Sequence, residues 1–344
     1  MKSNGKVHVL CTRNFTPAQL DRLRAVSAHL VVEQRSVKSR AELATVLTSD
    51  TDILFSTFPP VSLEPLPRLA WFQARSAGVN AIMGTPLWSS TKIAITSGSG
   101  VHGITIAEYT IGMMIALARD FLGFLDFQKR SCWPMVPKVH VEQFPGRELR
   151  GSTVLIIGYG SIGREIGRQC HALGLRVLAV KRDPSRVTDD GYVVPDTGDP
   201  AGKIPEKIVG PAQLAEVLPE ADYVVIASAS TAENRHLLGQ REFGLMRRDA
   251  FLINIARGDI VDESALILAL QQRTIAGAAL DVFEKEPLPA DSPFWKLDNV
   301  IVSPHIAGIT PRYDDHMAGL FAENLRRYLA GEPLLNLVDR ERGY

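Results

Sequence analysis

Arg257, Glu286 and His305 each follow an apolar run that is typical of a buried strand. An arginine presents a planar fork that matches a carboxylate with two hydrogen bonds. A histidine beside a carboxylate forms an acid–base pair, because the carboxylate holds one ring nitrogen and favours the protonated ring. Ligands bind beyond the carboxyl ends of strands in open α/β sheets, so we expect the three side chains at one sheet edge. Taken singly, they are better explained as a surface arginine, a solvated glutamate and a structural histidine, so the interpretation depends on all three lying at strand ends of one sheet.

A glycine-rich turn forms a second candidate site. Residues 153–174 read TVLIIGYGSIGREIGRQCHALG, an apolar strand, a G-x-G-x-x-G turn and a segment with helical spacing. Gly158 would permit the tight turn, Gly160 would let the backbone approach a pyrophosphate, and Gly163 would pack the helix on the strand. This context predicts a dinucleotide site, and the alternative is a merely structural turn.

The end of the next predicted strand bears on the choice of dinucleotide. Sites for NAD usually carry Asp or Glu about twenty residues after the glycines, where it bonds the ribose 2′-hydroxyl. This chain has Lys181 and Arg182 there. Two cations suit a 2′-phosphate, so NADP(H) is favoured over NAD(H). In the alternative, Lys181 is solvated and Asp183 bonds the ribose.

The elements that must position these residues alternate between strands and helices, which predicts parallel α/β sheets. One such unit is expected from Lys6 to Thr96 and a second from Thr153 onward. A nearly all-apolar helix is predicted at 103–122, an irregular segment at 121–150 and a long loop at 183–210. A closing helix at 313–330 is expected to return to the first domain.

Composition narrows the classes of function. Of 344 residues, 45% are hydrophobic, and 38 basic residues balance 38 acidic ones, so charge gives no indication of nucleic acid or a membrane surface. No apolar run is long enough to span a bilayer, and no signal peptide is recognisable at the N-terminus. Cys11, Cys132 and Cys170 are too dispersed for a zinc site or a disulfide framework. We therefore expect a cytoplasmic protein without a metal.

Taken together, these motifs resemble those of the D-isomer-specific 2-hydroxyacid dehydrogenases, in their glyoxylate/hydroxypyruvate reductase-like branch. The resemblance is carried by GYGSIG, NIARG, DVFEKEP and PHIAG, and by the segments at 76–80 and 102–108. It implies an α/β fold of two doubly wound parallel-sheet domains. A Rossmann cofactor domain, residues 103–307, would be inserted into a flavodoxin-like substrate domain formed by 1–102 and 308–344.

The resemblance also implies roles for single residues. Arg257 would bind the substrate's carboxylate and carbonyl, and His305 would be the general acid/base. Glu286 would be its partner in preference to Glu284, because the family places its glutamate directly before the proline. The substrate-binding residues would be Ala77, Gly78, Val79 and Arg257, the first three through backbone amides. The cofactor-binding residues would be Thr105, Gly158, Gly160, Ser161, Ile162, Gly163, Lys181, Arg182, Ala229, Ile255, Ala256, Asp281, His305 and Ala307, with Asp281 near the nicotinamide carboxamide.

The implied activity is reduction of a small 2-oxoacid, such as glyoxylate or hydroxypyruvate, to the D-2-hydroxyacid by a homodimer. Two features depart from the family, namely Lys181-Arg182 and the segment 228–231, which lacks the usual proline. The alternatives are a formate or phosphite dehydrogenase, of which Glu286 argues against the formate type, and a dinucleotide-sensing corepressor. Trp133 is either a packed interface residue or one that closes over a site.

Overall fold

A computed structural model describes residues 5–133, 146–341 and 343. The chain folds into two compact units. Unit 1 contains Met1–Val101, Asp190–Val194 and Thr310–Tyr344, and unit 2 contains His102–Asp189 and Pro195–Ile309. Part of the segment predicted as irregular, residues 134–145, lies outside the described residues.

Strands and helices alternate through most of the described chain. The strands are β1 (Val7–Cys11), β2 (Leu30–Gln34), β3 (Ile53–Ser56), β4 (Trp71–Ala74), β5 (Ala94–Thr96), β6 (Thr153–Ile157), β7 (Arg176–Val180), β8 (Lys207–Val209), β9 (Tyr223–Ile226), β10 (Phe251–Asn254), β11 (Gly277–Leu280) and β12 (Val300–Val302). The α-helices are α1 (Pro17–Arg24), α2 (Arg40–Val46), α3 (Pro86–Ser89), α4 (Gly103–Ala118), α5 (Phe121–Lys129), α6 (Ser161–Ala172), α7 (Leu214–Val217), α8 (Gln240–Leu245), α9 (Glu263–Gln271) and α10 (Tyr313–Ala330). Short 3₁₀ helices lie at Pro211–Gln213, Leu218–Glu220, Gly258–Ile260 and Pro293–Lys296.

The described residues of unit 1 form a five-stranded parallel sheet in the order β2-β1-β3-β4-β5. This is the flavodoxin-like order, and it confirms the fold expected for the first part of the chain. Helix α10 packs on the sheet from the far end of the chain, as Phe321 contacts the rings of Phe55 and Trp71 at centroid distances of 5.1 and 5.3 Å. Since these aromatic residues are fully buried, α10 is an integral part of the core of unit 1.

In the described part of unit 2, seven parallel strands run in the order β12-β11-β10-β9-β6-β7-β8. The strand order reverses between β6 and β9, as in a Rossmann fold, and a dinucleotide binds at this reversal point in such sheets. Helices α4 and α6 cover one face, where Ile106, Met114 and Ile166 pack on strand residues, and a second apolar cluster covers the other face. The strands are buried on both faces, which explains their nearly continuous apolar sequences.

Two predicted boundaries were wrong. The helix expected at 103–122 ends at Ala118, and a new helix, α5, begins at Phe121 within the segment expected to be irregular. Asp120 separates them because its backbone is left-handed, with φ of 51°, and its carboxylate caps the N–H of Gly123. Strand β8 lies within the segment expected to be a long loop, and it pairs with β7.

None of the helices in the described ranges combines the length and apolarity needed to span a membrane. Trp133, at the edge of the first described range, is 80% exposed.

Candidate active site

His305 and Glu286 form a hydrogen-bonded pair at the carboxyl end of the sheet of unit 2. His305 Nδ1 lies 2.8 Å from Glu286 Oε2, and Glu286 Oε1 accepts a hydrogen bond of 3.1 Å from the N–H of Phe283. Among the described residues, His305 Nε2 has no hydrogen-bond partner, and half of the side chain is exposed. One ring nitrogen is therefore fixed by a carboxylate, while the other is available to a ligand.

Glu284 lies two residues from Glu286 and bonds a different histidine. Its Oε1 lies 2.7 Å from His236 Nε2. The geometry thus separates two acid–histidine pairs, and the pair that contains His305 uses the glutamate directly before the proline.

The charge state of Glu286 follows from its surroundings. Partial burial raises the pKa of this carboxyl, but the hydrogen bonds from His305 and Phe283 and the positive charge of Arg257 lower it, and the net shift is downward. Glu286 is therefore ionised at neutral pH.

Arg257 is positioned by a glycine turn at the end of β10. A Cβ on Gly258 would lie 1.9 Å from the carbonyl carbon of Phe283, so only glycine lets this turn pack against the segment that carries Glu286. Asn254 Nδ2 donates to the Arg257 carbonyl at 2.9 Å, and Arg257 Nη1 donates to the Ala256 carbonyl at 2.6 Å. The guanidinium remains exposed, close enough for its charge to act on Glu286.

Asp281 directly follows β11, and its side chain is 1% exposed. Its Oδ1 accepts hydrogen bonds from Ser303 Oγ at 2.6 Å and the N–H of Ile306 at 2.9 Å, and its Oδ2 accepts one from the N–H of Ala307 at 2.9 Å. Asp281 therefore holds the loop that carries His305. Sequence reasoning missed this contact and missed Ser303, for which the only available signal was its place before Pro304.

The glycine turn after β6 has the shape that a dinucleotide requires. Gly158 has φ of 101°, and a Cβ on it would lie 2.5 Å from the amide nitrogen of Ser228. A Cβ on Gly163 would lie 2.1 Å from the Gly158 carbonyl oxygen, so these two glycines are required by packing. A Cβ on Gly160, by contrast, would meet no atom of the described chain within 4 Å. The space above Gly160, at the N-terminus of α6, therefore fits a phosphate group.

Two cations lie where the chain leaves β7. Lys181 Nζ donates to the carbonyl of Arg186, and Arg182 forms an exposed ion pair with Glu233 at 3.3 Å. Burial lowers the pKa of Lys181, and the charge of Arg164 lowers it further. Asp183, the alternative ribose ligand, accepts a 3.0 Å hydrogen bond from the N–H of Ser185.

The remaining residues predicted to contact a cofactor differ in whether their side chains are accessible. Thr105 and Ile162 are half-buried in the first turns of α4 and α6, and Ala229 is exposed after β9. A further group of side chains is buried, so only backbone atoms there could contact a ligand: Ile255, Ala256 and Ala307.

Ala77, Gly78 and Val79 follow β4 and belong to unit 1. The Val79 side chain is buried, and Ser76 Oγ donates to the Gly78 carbonyl at 2.6 Å. In the described part of the chain, no acceptor is bonded to the three N–H groups of residues 77–79. These amides therefore have the free donors that a carboxylate site needs.

Comparison with known proteins places the chain in a family. The family model for the D-isomer specific 2-hydroxyacid dehydrogenase, NAD binding domain, matches residues 111–307. Glyoxylate reductase from Thermofilum pendens is 32% identical over 309 residues, 89% of this chain and 84% of that protein. D-3-phosphoglycerate dehydrogenase from Methanocaldococcus jannaschii is 32% identical over 247 residues, 72% of this chain but 43% of that protein.

Solved structures give the same assignment. The D-isomer specific 2-hydroxyacid dehydrogenase from Xanthobacter autotrophicus Py2, in complex with NADPH and MES, is 27% identical with a TM-score of 0.75. The match covers 98% of this chain and 99% of that one. The resemblance in the sequence motifs is thus confirmed, and the chain belongs to the D-isomer-specific 2-hydroxyacid dehydrogenase family.

Proposed function

We propose that this protein reduces a small 2-oxoacid of the glyoxylate or hydroxypyruvate type to the D-2-hydroxyacid, with NADPH as the favoured cofactor and NADH as the alternative. The observation that carries the proposal is the His305–Glu286 pair, 2.8 Å apart, with the charge of Arg257 acting on it. The glyoxylate reductase name of the Thermofilum pendens relative supports this substrate class. Residues 103–307 would be the cofactor domain, and residues 1–102 and 308–344 the substrate domain.

The substrate would be held at its carboxylate. The exposed guanidinium of Arg257 supplies the paired donors that a carboxylate requires. The N–H groups of residues 77–79, considered within unit 1 by themselves, are further proposed donors to a carboxylate. Arg257 also polarises the carbonyl, because a positive charge stabilises the negative charge that develops on its oxygen.

Proton transfer belongs to His305. The glycine turn Gly158–Gly163 would hold a nicotinamide dinucleotide, which would supply the hydride for the carbonyl carbon. His305 donates the proton from Nε2 to the carbonyl oxygen, and Glu286 holds the ring through Nδ1. In the reverse direction His305 accepts the hydroxyl proton.

The preference for NADPH rests on Lys181 and Arg182. Both cations follow β7, where a 2′-phosphate would need them. The NADPH complex of the Xanthobacter autotrophicus relative supports this choice. The glycine turn and the N-terminus of α6 would hold the pyrophosphate, with further contacts at Thr105, Ile162, Ala229, Ile255, Ala256, Asp281 and Ala307.

The proposal includes a cytoplasmic homodimer. All three cysteines carry free thiols, which suits a reducing compartment. Large apolar side chains are exposed along α4, α5 and the residues after them: Ile115, Phe121, Phe124, Leu125 and Trp133. Exposed apolar side chains of this size mark interaction surfaces, and a second copy of the chain is the proposed partner.

A substrate panel tests the proposed function. NADPH oxidation is measured with glyoxylate, hydroxypyruvate and a bulkier 2-oxoacid, and dinucleotide reduction with D-3-phosphoglycerate, phosphite and formate. Turnover of the small 2-oxoacids, abolished in His305→Ala, would support the proposal. Binding of NADPH without turnover of any of these compounds would favour the dinucleotide sensor instead.

A further inference from the structure

The loop that carries His305 has an unfavourable backbone. The φ angle of His305 is 55°, in the left-handed region that favours glycine. Its N–H donates to the carbonyl of Asp281 at 2.9 Å and to that of Ser303 at 3.1 Å. A residue keeps such a conformation only where its surroundings impose it.

The Asp281 carboxylate holds the left-handed conformation of His305 through hydrogen bonds to residues on both sides of the histidine. Its hydrogen bonds reach Ser303 before His305 and the N–H groups of Ile306 and Ala307 after it. The orientation of the His305 ring therefore depends on how firmly this buried carboxylate is held.

One more side chain completes the network from a distant part of the sequence. The Tyr109 hydroxyl, on α4, forms a hydrogen bond with Ser303 Oγ. A serine hydroxyl has one hydrogen, and Ser303 donates it to Asp281, so Tyr109 is the donor to Ser303. The hydrogen bonds run in one direction, from Tyr109 through Ser303 to the carboxylate, and each polarises the next.

Tyr109 stays a neutral donor. Burial is the largest influence on the pKa of Tyr109 and raises it, and the net shift is upward. Its ring packs against the apolar cluster beneath α4, so the hydroxyl is anchored to a helix and not to a loop.

We propose that Tyr109 is a positioning residue for the proton donor. Through Ser303 and Asp281 it holds the loop in which His305 presents Nε2 to the substrate. The proposal rests on the proposed function, because it assigns Tyr109 an effect only on a step that His305 performs. Tyr109 itself contacts neither the substrate nor the reacting atoms in this scheme.

The first test removes only the hydroxyl. Tyr109→Phe keeps the ring and is expected to lower kcat about five- to tenfold, with the KM for the 2-oxoacid changed less than twofold. Ser303→Ala should behave in the same way, and Ser303→Thr, which keeps a hydroxyl, should recover most of the activity. Tyr223→Phe is the matched control, because Tyr223 is buried in the same unit and its hydroxyl bonds to nothing in the described part of the chain. An unchanged kcat in Tyr109→Phe, or an equal loss in Tyr223→Phe, would overturn the proposal.

A double-mutant cycle separates positioning from general destabilisation. Once His305 is replaced by alanine, loss of the Tyr109 hydroxyl should no longer change kcat. A further five- to tenfold loss in the double variant would mean that Tyr109 acts independently of His305, and would overturn the inference while leaving the proposed function intact. Near-normal kcat in His305→Ala alone would overturn both.

Discussion

The charge on Glu286 determines how strongly its carboxylate holds His305 Nδ1. The lowered pKa of Glu286 keeps the carboxylate ionised through the neutral range, so the hydrogen bond to His305 is charge-assisted. The contribution of this pair to stability is present above the ordinary glutamate pKa and is lost as the pH falls through the lowered one.

Replacing Glu286 by glutamine should lower turnover. Glutamine cannot accept the hydrogen bond from His305 Nδ1 with a full negative charge, so kcat for 2-oxoacid reduction should fall about tenfold. Glu284→Gln is the matched control, since Glu284 bonds His236 and should leave kcat unchanged. An unchanged kcat in Glu286→Gln would contradict the assigned pair.

Lys181 offers a residue-scale test of cofactor choice. Lys181→Asp places a carboxylate where a 2′-phosphate would lie, so the ratio of kcat/KM with NADPH to that with NADH should fall by a factor of about 10 to 100. Lys203→Asp makes the same charge change at an exposed position before β8 and should leave the ratio unaltered. Equal use of both cofactors by the unmodified protein would remove the reason for assigning NADPH.

In the turn from β6 to α6, one glycine is needed for packing and another is proposed to be needed for ligand binding. Gly163→Ala forces a Cβ against the Gly158 carbonyl and should lower Tm by several degrees. Gly160→Ala meets no atom of the described chain and should leave Tm within about 1 °C while weakening NADPH binding at least tenfold. Titration of the two variants and of the control Gly244→Ala with NADPH, beside thermal unfolding, gives the measurement. Full NADPH affinity in Gly160→Ala would contradict the proposed pyrophosphate site.

Strand identities and the sheet class could be predicted from the sequence because buried parallel strands leave continuous apolar runs, as in Val154 to Ile157. The left-handed backbone of Asp120, which ends α4, could not be predicted from the sequence, because a single aspartate gives no signal of positive φ. The contact between Glu286 and His305 could be expected because each follows a strand of the same sheet. The contact between Tyr109 and Ser303 could not be expected from the sequence, because it joins residues 194 positions apart and depends on tertiary packing.

At the scale of the whole molecule, the exposed apolar side chains on α5 predict self-association. Leu125→Asp places a charge among them and should convert a dimer to a monomer, as measured by light scattering. Leu268→Asp is the control, because Leu268 is similarly exposed on α9 but lies outside the proposed interface. A wild-type protein with the mass of one chain would refute the homodimer.

Because unit 1 is made of separate stretches of chain, its core can form only after the rest of the chain has been synthesised. Its sheet is encoded before residue 102, but Phe321 and the other buried residues of α10 belong to the last stretch. A ribosome therefore releases the complete sequence of unit 2 before the core of unit 1 can close. Until then Phe55 and Trp71 lack their contacts with Phe321, so we expect the nascent N-terminal segment to expose apolar surface during synthesis.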